Sequence, residues 1–141
     1  MDKAQQYLGI ARKAGLLAIG EENCGNAVGG GKAKLFLLAR DASPNAVKRA
    51  NSFLYGHRAP CRTLPWDKSE LSQLLGKRGC SMLCFIDLPL AARFAAAMAE
   101  TAPEWQETAA VLSQREDKAK RRKAAPRKHD SREKRRMQDG S

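Results

Sequence analysis

Histidine and paired metal-binding thiols are nearly missing from this chain. It has two histidines, His57 and His129, and its cysteines, Cys24, Cys61, Cys80 and Cys84, form no C-x-x-C pair. Zinc sites need such ligands at close spacing, so no metal and no cofactor is expected. Long apolar runs are lacking too. No stretch approaches the roughly 18 uninterrupted apolar residues that a bilayer-spanning helix requires. The opening residues, MDKAQQYLGIARKAG, bring in charge where a secretory signal needs an apolar centre. A cytoplasmic protein with no membrane partner is therefore expected. Reduced thiols fit that compartment: Cys80 and Cys84 are expected on the same side of one extended strand, packed as small hydrophobes.

Catalytic signatures are equally scarce. GGGKA invites a phosphate-loop reading, but that motif needs G-x-x-x-x-G-K-[S/T] between a strand and a following helix. Here Asn26 holds the first glycine position, Ala33 replaces the hydroxyl, and the element precedes a strand. A helix-to-strand turn accounts for it. Neither histidine has a serine or cysteine elbow nearby. Asp41, Asp67 and Asp87 fall near element ends, where caps and turns use carboxylates. No enzyme and no small-molecule substrate is expected.

What the chain has is positive charge. Lys and Arg number 26 against 15 Asp and Glu, a formal net charge of +11 with pI near 9.9. Ser113 to Arg136 holds twelve of the cations and four of the acids, a net +8, with almost no large apolar side chain. Such a segment cannot offset its conformational entropy with a core, so it is expected to stay mobile or only partly helical. Mobile, basic stretches suit polyanions. Residues 1–100 are basic as well, with fourteen cations and eight acids. The expected organisation is one domain over 1–100, then 101–141 as a partly helical segment passing into a disordered basic tail.

Helix and strand signals alternate along the domain. Ala4, Tyr7, Leu8 and Ala11 recur at helical spacing and Gly15 ends the run. Leu16–Ile19, Lys34–Ala39, Cys61–Leu64 and SMLCFI read as short apolar strands. Between them, Glu21 and Glu22 open a glycine-burdened helix, Ser43 caps one that begins at Pro44, and Asp67 with Glu70 forms a capping box on one ending at Gly76. PLAARFAAAMAE, from Pro89, completes the set. Strands apolar throughout are covered on both faces, so the fold class is α/β, a three-layer α/β/α sandwich around a four-stranded mixed sheet.

GEENCGNAVGGGKAKLFLLARDASP, Gly20 to Pro44, resembles the signature region of the ribosomal protein seven-Ae/thirty-e (L7Ae-like) superfamily of kink-turn RNA binders, in its bacterial branch. The likeness continues through APCRTLP, Ala59 to Pro65, then LSQLLGKRG, Leu71 to Gly79, and FIDLP, spanning about residues 4 to 98. It implies an RNA-binding face at the start of the second helix, a monomer, and RNA of ribosomal or kink-turn-like type as partner, with the ribosome beyond it. The family pattern there is G-x-N-E-x-x-K. Gly20 matches, but Glu22, Asn23 and Asn26 stand for the Asn, Glu and Lys, and the lost lysine removes a charged donor toward a base. Implied contacts are Gly20, Glu21, Glu22, Asn23 and Asn26, with Lys77 and Arg78 in the loop before the last strand. Lys32, Lys34 and Arg40 are expected to flank the same end, and Lys120, Arg121, Arg122 and Lys123, outside the resemblance, are expected to add contacts through the charge of the basic segment. Glu21 and Glu22 equally suit the helix dipole. Two alternatives stay open: an accessory recognition module for an rRNA-modifying enzyme, and a protein–protein adaptor that has lost kink-turn binding.

Overall fold

The computed structural model describes residues 2–124. The first helix, α1 (Lys3–Lys13), starts at a capping box in which Asp2 accepts from the Gln5 amide at 2.8 Å and Gln5 accepts in return from the Asp2 amide. After Gly15 come β1 (Leu17–Ile19) and α2 (Glu21–Gly29), then β2 (Leu35–Leu38). Ser43 Oγ accepts from the Ala46 amide at 3.1 Å to start α3 (Pro44–Leu54), so its hydroxyl is a cap. Next are β3 (Cys61–Thr63), α4 (Lys68–Leu75) with the Asp67–Glu70 capping box, β4 (Met82–Phe85) and α5 (Leu88–Ala99). A 3-10 turn at Pro103–Trp105 leads into α6 (Gln106–Ala124).

The strands form one sheet in the order β1-β4-β2-β3, antiparallel except for the parallel β2–β3 pair. All four residues of both central strands are buried. Leu35, Leu37, Leu83 and Phe85 pack toward α1, α4 and α5, while Phe36, Leu38, Met82 and Cys84 pack toward α2 and α3. The expected three-layer α/β/α sandwich with its mixed sheet is the observed one. β3 differs from the apolar reading: Cys61 and Arg62 are half-buried and Thr63 is exposed, because β3 is an edge strand.

A second difference concerns Cys80 and Cys84, which lie on opposite sides of the sheet. β4 begins only at Met82, and Gly79 turns the chain with φ 77°, so strand alternation does not reach back to Cys80.

Packing also continues past residue 100, where sequence composition set a boundary. Trp105, Thr108 and Leu112 are buried. Trp105 meets Phe94 edge to face at 5.7 Å between centroids, and the Arg62 guanidinium lies over the Trp105 ring, 5.5 Å from its centroid. α6 then runs through Lys120–Lys123 to Ala124, within the segment expected to be mobile or partly helical. The remainder of that segment, and the tail to residue 141, lie outside the described residues.

Candidate nucleic-acid interface

The start of α2 is set by Gly20. Its φ of 93° lies in the left-handed region that side chains rarely adopt, and its amide donates to Met82 O at 3.0 Å across the sheet. A Cβ there would sit 3.8 Å from Gly79 O, ordinary contact, so backbone conformation rather than space demands glycine. The helix that follows displays Glu22, Asn23 and Asn26 to solvent. Asn23 is oriented from within: its Nδ2 donates to Ile19 O at 3.0 Å. Glu21 is engaged by the protein itself, paired with Arg49 of α3. Gly25 allows this helix to receive Phe53, whose ring would stand 3.0 Å from any Cβ at that position.

Beside α2, along the open edge of β1, runs a hollow of about 760 Å³. Arg12, Lys13, Lys32 and Lys77 line it with Asn23 and Asn26, and no carboxylate is among its lining residues. The Arg12 Nε is buried without a hydrogen-bond partner among the described residues. Of the expected residues, Asn23, Asn26, Lys32 and Lys77 line this one hollow, with Lys32 past the end of α2 rather than beside its start. Arg12 and Lys13 were missed. Their only sequence signal is a basic pair just before the helix-ending Gly15.

Other expected residues are placed elsewhere. Arg40 lies at the same end of the sheet as Gly20 but is taken up by the protein: its guanidinium donates to Pro65 O at 3.2 Å and approaches Asp67 and Glu70 at 3.4 and 3.7 Å, fastening β2 to the start of α4. Lys34 lines a separate hollow with Arg58 and Arg115. Arg78 is exposed in the α4–β4 connection. Lys120, Arg121, Arg122 and Lys123 are exposed on the last turns of α6, with Lys120 3.8 Å from Glu116.

The thiols form no reactive centre. Burial pushes the Cys84 thiol up to about 12 against the pull of backbone amides at Lys34 and Leu35, and burial followed by the nearness of Cys84 pushes Cys24 higher still. Both stay protonated at neutral pH. Among the described residues no cluster of three His, Cys, Asp or Glu could hold a metal, and no helix is long and apolar enough to cross a membrane.

No family model matches the chain. It is 35% identical over 75 residues to the RNA-binding protein YlxQ of Enterococcus faecium, an alignment covering 53% of this chain and 72% of that protein. A solved structure of a protein of unknown function from Bacillus halodurans C superposes with a TM-score of 0.63 over 70% of this chain and 98% of its own, at 24% identity, a likeness of fold. The two together, with the α/β/α sandwich and the glycine-initiated second helix, place the chain in the L7Ae-like family that includes YlxQ.

Proposed function

We propose that this protein binds structured RNA, without catalysis, through the β1 edge hollow and the start of α2. The observation that carries the reading is the hollow itself: four cations and two outward asparagines with no carboxylate among them. Cations so placed meet phosphates, while asparagines offer directional donors and acceptors to base edges. The printed name of the Enterococcus faecium relative supports an RNA partner. Ribosomal or kink-turn-like RNA is the proposed class, and Lys32 and Lys77 lie in the same hollow as Asn26, so they supply the positive charge that the family lysine would have brought. A monomer acting in the cytoplasm completes the reading.

The test is a gel-shift or anisotropy titration of the full chain with a kink-turn RNA, a matched duplex and an rRNA fragment. Tight binding to at least one is expected, weakened about tenfold by Lys32→Gln with Lys77→Gln as two phosphate contacts are lost. No shift of any probe at moderate salt would remove the proposal and leave the adaptor reading in its place.

A further inference from the structure

The GGGK string is no phosphate loop, and although Gly30 and Lys32 belong to the proposed site, its glycines lie between two basic hollows. Gly30 lines the β1 hollow and Gly31 lines the next one. On that second side, Lys34 at the start of β2, Arg58 before β3, and Arg115, Lys118 and Arg122 on α6 come together. These five cations come from three separate segments of the chain, and no carboxylate is among the residues lining their hollow. Two nearby carboxylates are already engaged: Asp87 accepts from the Leu90 amide at 3.0 Å, and Glu116 meets Lys120.

Like charges held together this way repel, and at Arg115 that repulsion adds to the cost of burial. Burial first, and then the charge of Arg58, holds the Arg115 guanidinium below its ordinary range. Arg115, Lys118 and Arg122 fall at i, i+3 and i+7, one stripe of α6. Folding alone gains nothing from this crowding; a bound polyanion relieves it.

We propose that this second surface and the β1 hollow are one RNA track, joined over the side-chain-free turn at Gly29–Gly31, so that the protein grips two successive segments of the same RNA. The proposal rests on the RNA reading above and extends it to a face that α2 does not reach. A Cβ at Gly29 or Gly31 would meet nothing within 4 Å, so the saddle between the hollows is open to a backbone passing close by. Tyr55 favours nucleic acid over an acidic polypeptide. It is 88% exposed, three residues before Arg58 in the same turn, where an aromatic face can stack an unpaired base.

The experiment measures binding of the full chain to a fluorescein-labelled 20-nucleotide oligouridylate and to a kink-turn hairpin with a single-stranded extension, across potassium chloride concentrations. Lys34→Gln/Arg58→Gln/Arg115→Gln is expected to flatten the slope of log affinity against log salt by about two, at roughly 0.7 per single-strand phosphate contact. Gly29→Leu, which alters no charge, should weaken the extended hairpin several-fold with its slope intact, and Tyr55→Ala should weaken oligouridylate about fivefold or more as stacking is lost. Melting curves establish that each variant is folded; if the triple variant is not, the exposed Lys118→Gln/Arg122→Gln pair takes its place. A neutralised variant that keeps wild-type slope and affinity, while Lys32→Gln/Lys77→Gln weakens binding, overturns the second surface and spares the first. Wild-type protein that binds no RNA overturns both. Displacement of RNA by poly-L-glutamate at equal charge, with Tyr55→Ala silent, assigns the surface to an acidic protein and overturns the proposal.

Discussion

The two ends of the sheet treat charge in opposite ways. Where β1, β2 and β3 finish, carboxylates and cations are engaged with each other or with helix amides: Glu21 with Arg49, Asp67 with both Arg40 and the Glu70 amide, Asp41 with the Lys68 amide at 2.9 Å. Where those strands begin, Arg12, Lys13, Lys32, Lys34 and Arg58 line hollows that hold no carboxylate. One end uses its ionic groups to fix the fold. The other, joined along the β1 edge by Asn23 and Lys77, leaves its cations for a ligand, and that asymmetry says more about partners than the net charge does.

Trp105→Ala is the change expected to do most damage to this contrast. It empties the contact of α6 with Phe94, should lower stability by about 3–5 kcal/mol in urea denaturation, and should loosen the helix that carries Arg115, Lys118 and Arg122. A large stability loss with an unchanged salt slope for RNA binding would separate α6 from the ligand-facing end. At the engaged end, Gly20→Val forces a β-branched residue to φ 93° and should cost about 1–3 kcal/mol by the same assay. Asp67→Ala sharpens the contrast differently. Loss of the cap should lower stability by about 1 kcal/mol, while Arg40, left with only Glu70 and Pro65 O, is held less firmly and RNA binding holds or rises slightly.

The smallest effect appears only in alkali. Burial pushes the folded Cys84 thiol up to about 12 from the ordinary 9.0, so the unfolded chain sheds its proton first as pH rises. Stability from this group is complete below about pH 9 and drains away between there and about 12. Melting temperatures of wild type should fall across that window more steeply than those of Cys84→Ala.

Much of this fold was legible because its punctuation is local. Ser43 before Pro44, Asp67 with Glu70, and glycines at 15 and 76 each act within a few residues, and the buried strands β2 and β4 are unbroken apolar runs. Interactions between distant residues were not legible. Arg40 finds its partners 27 residues on, and Arg58 meets Arg115 only because the parallel β2–β3 pair and the return of α6 bring them together. Trp105 was hidden by its charged neighbours, though one buried indole fixes where α6 lies. For the site, the α2 face was implied by the family resemblance, whereas the cations beneath it needed the sheet order.

The stripe on α6 has a consequence of its own. Arg115, Lys118 and Arg122 ride on a backbone that is already ordered, with Thr108 and Leu112 holding its first turns in the core. A ligand meeting them has only side chains to immobilise, which keeps the penalty of docking low. Ala119→Pro would leave every cation in place and break that scaffold. Affinity should then drop while ionic-strength dependence persists, separating how many charges the helix carries from how well it holds them in line.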